Sequence, residues 1–168
     1  AALTTLGATF QRDGVVWTVT PTGLNLAEPL TIDNGLAGTV MRFVPAIAAL
    51  TSAEVTFDGD EHARKRPMAT TIDALRLLGV TVDDCGRGAL PFVVRGSGSV
   101  TGGPIEVDAS ASSQFVSALL LVGARFENAL DLRHAGAPLP SMPHIDMTVA
   151  ELRRRGVRID IDEPELWL

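Results

Sequence analysis

The chain has 168 residues and a mass of 17.7 kDa, 46% of it apolar and 20% charged, with a mean hydropathy of +0.23; that excludes disorder and allows a real core. A net charge of −6 runs against a nucleic-acid partner, and the longest apolar run, 115–124, is far short of the roughly 20 residues that span a bilayer, so a soluble protein is expected. Cys85 is the single cysteine and no secretory leader is legible, which excludes a disulfide framework and points to the cytoplasm.

In chain order, a short helix over 1–6 is closed by Gly7, and a hairpin follows, Thr9–Arg12 and Val15–Thr20, joined by Asp13-Gly14. The next stretch reads as strand Leu30–Asp33, helix Gly38–Leu50, strand Glu54–Phe57, helix Met68–Leu78 and strands Val80–Asp83 and Pro91–Val94. Helices Phe115–Ala124 and Val149–Arg155 come after it, and the chain stops at Trp167-Leu168, where a further strand would start. Pro45 predicts a kink or a late start in the helix that contains it.

These elements repeat. When the sequence is shifted so that Asp33 falls on Asp108, the same shift lays Trp17 on Phe92, Val19 on Val94, Gly23 on Gly98, Val55 on Leu130 and Phe57 on Leu132. Gly7, Gly79 and Gly156 each close a helix at nearly the same spacing. The period is too long for a solenoid, so each unit is a small βαβαββ subdomain: 1–28 ends one, 29–102 is complete and 103–168 is most of another. With both ends inside units and no initiator Met, the sequence reads as a piece of a longer protein. Helices 40–50 and 115–124 are apolar nearly all round, whereas 72–78 and 149–155 are amphipathic; buried helices with sheets packed outside them satisfy both patterns.

The chemistry concentrates at helix starts: Gly38-Thr39, Arg66-Pro67, Ser112-Ser113-Gln114 and Ser141-Met142-Pro143, with Pro67 and Pro143 suited to the first helical position. Each start offers unpaired N–H groups and the positive end of a helix dipole, which attract phosphate or carboxylate. Serine and threonine there also serve as plain N-caps, so the repetition alone supports either capping or binding of a small anion. Gly96-Ser97-Gly98-Ser99 lacks the lysine of a phosphate loop and reads as a linker. His62, His134 and His144 lack metal-ligand spacing, the acids Asp58, Asp60 and Glu61 read as a solvent-facing turn, and no histidine lies near Cys85 to activate it.

Four motifs carry a resemblance: Ala37-Gly38-Thr39-Val40-Met41-Arg42; Arg66-Pro67 followed by Asp73-Ala74-Leu75; Ala111-Ser112-Ser113-Gln114-Phe115 with Ala118-Leu119-Leu120; and Ser141-Met142-Pro143-His144-Ile145-Asp146. In order and spacing the sequence resembles the 5-enolpyruvylshikimate-3-phosphate synthase family over nearly its whole length. The resemblance implies an inside-out α/β barrel of βαβαββ units, helices inside and sheets outside, with this chain forming most of the N-terminal globular half. It implies transfer of the carboxyvinyl group of phosphoenolpyruvate to the 5-hydroxyl of shikimate 3-phosphate through a tetrahedral intermediate, with release of phosphate and no metal or organic cofactor. Ser112, Ser113 and Ser141 would hold the shikimate phosphate, and Gln114 would reach both substrates. Gly38 and Arg66 would serve the phosphoenolpyruvate side, and His144 would either pack beneath the shikimate ring or cap its helix.

Three positions depart from the family pattern. Leu36 stands where Asn is usual, His144 where Tyr is usual, and Phe43 where Pro is frequent, which leaves glyphosate sensitivity open. The family's Lys-Ser loop lies before Ala1 and its proton-transfer carboxylates and lysine belong to the C-terminal half, so the fragment alone is expected to be inactive. Its expected partners are the two substrates and that C-terminal domain, within a monomer. The alternatives are a UDP-N-acetylglucosamine enolpyruvyl transferase of the same architecture and a non-catalytic repeat module.

Overall fold

The computed structural model describes residues 1–21 and 23–161 together with the backbone of 166–167. It opens with α1 (Ala2–Thr5) and a two-stranded ribbon, β1 (Thr9–Asp13) and β2 (Val16–Thr20). The strands pair from Thr9–Thr20 to Asp13–Val16, so the turn is Gly14-Val15, one residue later than Asp13-Gly14. Gly14, at φ +58, takes the first central position, a left-handed conformation that a residue without a Cβ adopts at little cost.

Next come β3 (Leu30–Asp33), α2 (Gly38–Ala48), β4 (Glu54–Asp58), α3 (Glu61–Arg64), α4 (Ala69–Leu77), β5 (Thr81–Asp83) and β6 (Phe92–Arg95). Pro45 does not delay α2. The helix begins at Gly38 and runs unbroken through the proline, which has no N–H to offer Met41 O. It ends at Ala48 rather than Leu50, where the Thr51 hydroxyl and backbone N–H both donate to Ala48 O. Pro67 is not the first residue of α4, since Met68 is the N-cap and Ala69 the first helical residue.

The last stretch holds β7 (Gly103–Val107), α5 (Gln114–Gly123), β8 (Leu130–His134), α6 (Met142–Arg154) and β9 (Leu166–Trp167). Pro143 is the second helical residue of α6, after Met142. One sheet has the order β3-β4-β6-β5, with β3 and β4 parallel and the other pairs antiparallel; a second has the order β7-β8-β9, parallel and then antiparallel. Phe57 faces Phe92 in the first sheet, and their equivalents under the repeat, Leu132 and Trp167, face each other in the second. The parallel pairs differ: Ile32 lies beside Phe57, but Val107, the equivalent of Ile32, lies beside His134 instead of Leu132. A slip of two residues keeps the same side chains facing inward, so the hydrophobic pattern tolerates it.

The sheets lie outside and the helices inside. In β4, Val55 and Phe57 point inward while Glu54 is exposed, and the Phe57 and Phe92 rings stack with centroids 5.2 Å apart. Helix α2 packs on α5, α4 and β4, and α6 packs on α5, with Thr148 Oγ1 hydrogen-bonded to Ser117 Oγ at 3.0 Å; Ile145, Val149 and Leu152 are the buried residues of α6. Helix α5 is buried on most sides, but Leu121 is 44% exposed, so it is not enclosed all round. The glycine-rich linker after β6 is stitched to the loop between α2 and β4: Gly96 N donates to Ala53 O and Gly98 N to Thr51 O. A Cβ on Gly96 would lie 2.0 Å from Thr51 O, so this close approach requires glycine. No helix among the described residues is long and apolar enough to cross a membrane.

Candidate functional site

The starts of α2 and α5 are joined by one side chain. Arg42 lies four residues into α2 from Gly38, hence on the same face, and its Nη1 donates to Gln114 Oε1 at 2.8 Å and to Ser112 Oγ at 3.3 Å. Its guanidinium carbon stands 5.2 Å from the centroid of the Phe115 ring, a cation–π contact that fixes the plane of the fork. Burial, and then the charge of Arg66, push the Arg42 guanidinium pKa below its ordinary value.

Arg66 lies between α3 and α4 instead of opening a helix of its own, which corrects the expectation for Arg66-Pro67. Its guanidinium instead reaches the start of α2, where Nη1 donates to Leu36 O at 3.0 Å. The same nitrogen is 3.0 Å from where a Cβ on Gly38 would stand, so glycine leaves the guanidinium room at that helix start. Neither Arg42 nor Arg66 has a carboxylate partner among the described residues. Two adjacent cations without counter-ions beside two helix N-termini make a locally positive patch on a chain of net charge −6.

The neighbouring basic and acidic residues are structural. Asp58 takes a two-pronged ion pair from Arg64 at 2.8 and 2.7 Å, which holds its carboxyl below the usual range. Asp60 caps α3 by accepting from His62 N, and Lys65 pairs with Glu61. Of the run Arg64-Lys65-Arg66, only Arg66 is turned to the site.

The serines divide. Ser112 Oγ accepts from Gln114 N at 3.3 Å and from Arg42, the first being a local serine turn to the residue two on. Ser113, the buried N-cap of α5, and Ser141, the half-buried N-cap of α6, make no side-chain cap hydrogen bond, so simple capping does not account for them. The loops carrying these serines are held together from behind. His134 Nε2 donates to Ala137 O at 2.8 Å, and its Nδ1 stands 3.2 Å from Ala109 N and 3.3 Å from Val107 O. Ser110 Oγ donates to Asp108 Oδ1 at 2.5 Å and stands 3.0 Å from Ala137 O, and Thr70 Oγ1 of α4 donates to Asp108 O at 3.2 Å.

Arg66 thus meets the start of α2 beside Gly38, and Arg42, one turn farther along the same helix, holds Ser112 and Gln114. Ser141 and the exposed His144 stand at the start of α6 with no hydrogen bond to any of these among the described residues. Leu36 is exposed and contributes only its carbonyl. Arg42 was present in the first motif but had no assigned role; its position one turn from Gly38 was the signal that would have found it. Cys85, exposed at φ +50, has Asp83 Oδ1 3.6 Å from its sulfur.

A 3-phosphoshikimate 1-carboxyvinyltransferase of Mycobacterium ulcerans (strain Agy99) is 54% identical over 168 residues, 99% of this chain and 38% of the relative. The chain therefore spans well under half the length of that curated relative. Two solved structures of EPSP synthase from Acinetobacter baumannii share the fold, with TM-scores of 0.79 and 0.80 at 24% identity, over 99% of this chain and 36% and 37% of theirs. The family profile described as EPSP synthase (3-phosphoshikimate 1-carboxyvinyltransferase) matches residues 1–167, and the chain belongs to that family.

Proposed function

We propose that the whole protein to which this chain belongs moves the enolpyruvyl group of phosphoenolpyruvate onto the 5-hydroxyl of shikimate 3-phosphate, releasing phosphate, and that this chain supplies one wall of the substrate site. The observation that carries the reading is the convergence of Arg42 and Arg66, without carboxylate partners among the described residues, on the starts of α2 and α5. Both substrates are phosphorylated and one carries a carboxylate, so a patch with forked donors and helix N-termini suits them.

In this reading Arg66 and the backbone at Gly38 take the phosphoenolpyruvate side. Ser112, Ser113 and Ser141 take the phosphate of shikimate 3-phosphate, Gln114 reaches both ligands, and His144 lies beneath the ring. Residues 1–28, 29–102 and 103–168 form the end of one unit, a complete unit and most of a third. The proton-transfer groups lie outside this chain, which binds without turning over and works within a monomeric cytoplasmic enzyme beside the C-terminal domain.

The test is Arg66→Ala in the full-length protein. The apparent KM for phosphoenolpyruvate should rise at least tenfold, in line with loss of a charge-assisted contact of about 1.5–3 kcal/mol; an unchanged value removes Arg66 from the site. Titration with shikimate 3-phosphate should move the backbone amide resonances of Ser112, Ser113 and Ser141. A non-catalytic repeat module would move none of them, and an enzyme acting on UDP-N-acetylglucosamine would respond to that sugar nucleotide instead.

A further inference from the structure

Arginine has donors only, so the atom of Gln114 that meets Arg42 Nη1 at 2.8 Å must be the carboxamide oxygen. The amide nitrogen is therefore turned away from Arg42, and no described residue accepts from it. At Ser112 the hydroxyl oxygen already accepts from Arg42 and from Gln114 N, both at 3.3 Å, which occupies its two lone pairs and leaves its O–H to donate elsewhere. One guanidinium thereby sets the polarity of two neighbouring side chains. It is itself held by the Phe115 ring and has no competing carboxylate among the described residues.

We propose that Arg42 is a positioning residue that presents the Gln114 amide N–H groups and the Ser112 hydroxyl proton, together, as outward donors to the anionic ligands. The inference rests on the function proposed above. Arg42 belongs to the 29–102 segment and its two acceptors to the 103–168 segment, so the device also sets the donors of one βαβαββ unit from the next.

The test is a double-mutant cycle in the full-length protein, followed by kcat/KM for each substrate. Arg42→Met should lower kcat/KM on the order of tenfold, as expected for a hydrogen bond to a charged group. In the Gln114→Ala background the same change should cost at least threefold less, because one of its targets is gone. Equal factors in the two backgrounds would overturn the inference.

A second arm needs neither activity nor an Arg42 variant. Gln114→Glu keeps an oxygen for Arg42 but removes the outward amide donors. It should therefore melt no lower than the wild type while binding shikimate 3-phosphate more weakly; a lower melting temperature would overturn the inference. A wild-type protein with no carboxyvinyl transfer would sink the proposed function alone, since the thermal comparison still reports on the contact between Arg42 and residue 114.

Discussion

Two strand pairs in this chain have the same pattern and opposite surroundings. β1–β2 and β5–β6 are both antiparallel, and their pairings coincide when Thr9 is laid on Thr81 and Thr20 on Arg95. Trp17 thereby corresponds to Phe92 and Val19 to Val94. Yet Trp17 is 57% exposed and Phe92 1%, and Val19 is 52% exposed and Val94 0%. The difference lies in the neighbours. β6 sits between β4 and β5 over the helical core, whereas β2 has only β1 beside it among the described residues. An apolar alternation reports a demand for burial, and whether a given stretch of chain meets that demand depends on other strands and helices.

Substitutions at matched positions should break this correspondence in a graded way. Phe92→Ala should have the largest effect, about 3–5 kcal/mol of lost stability in urea unfolding, since it removes a ring stacked on Phe57 in a closed core. A loss under about 1 kcal/mol would mean that the two sheet positions are energetically alike.

The turn between β5 and β6 offers the next test. Asp84 is nearly enclosed, accepts from Arg76 at 2.7 Å and from Gly86 N and Gly88 N, and its pKa is lowered to about 2, chiefly by Arg76. A carboxylate whose folded pKa is depressed contributes stability that is full above its unfolded pKa near 4 and is lost as the pH falls toward 2. Asp84→Asn should cost about 2 kcal/mol at pH 7, and the gap from the wild type should close between pH 5 and pH 2. A gap independent of pH would show that the carboxylate charge is not what holds the turn. The two-residue turn of β1–β2 contains no such group.

Smallest is Trp17→Ala, which in this chain removes an exposed ring whose contact is the Arg12 guanidinium at 5.4 Å and should cost at most about 1 kcal/mol. If residues 1–28 end a unit that begins before this chain, as proposed above, the same change in the full-length protein should approach the Phe92 effect. Equal small losses in both would break the unit reading at residues 1–28.

Much of this organisation was legible in the sequence because the units repeat. The strand at 30–33, those expected at 54–57 and 91–94 and found at 54–58 and 92–95, and the start of α2 at Gly38 follow from apolar periodicity and turn residues. What was missed depends on length or on distant partners. α3 has four residues, too few to show a helical period, and it displaces Arg66 from the start of a helix. The direction of Arg66 toward Leu36 and that of Arg42 toward Gln114 are set by contacts between segments far apart in the chain. Local spacing records neither. The turn at Gly14-Val15 was misplaced by one residue because glycine suits either central position of a two-residue hairpin, and only the pairing of Asp13 with Val16 distinguishes them.

The two-residue slip between the parallel pairs breaks the internal symmetry where it matters most. With a rise of roughly 3.3 Å per residue, a residue of β7 stands about 7 Å farther along its partner strand than its equivalent in β3 does. The turns after these two strands lead into α5 and α2. A faithful duplication would present two equivalent helix entrances and favour two identical guests. Here the entrances are staggered and not equivalent, and a side chain as long as that of Arg42 bridges the step between them.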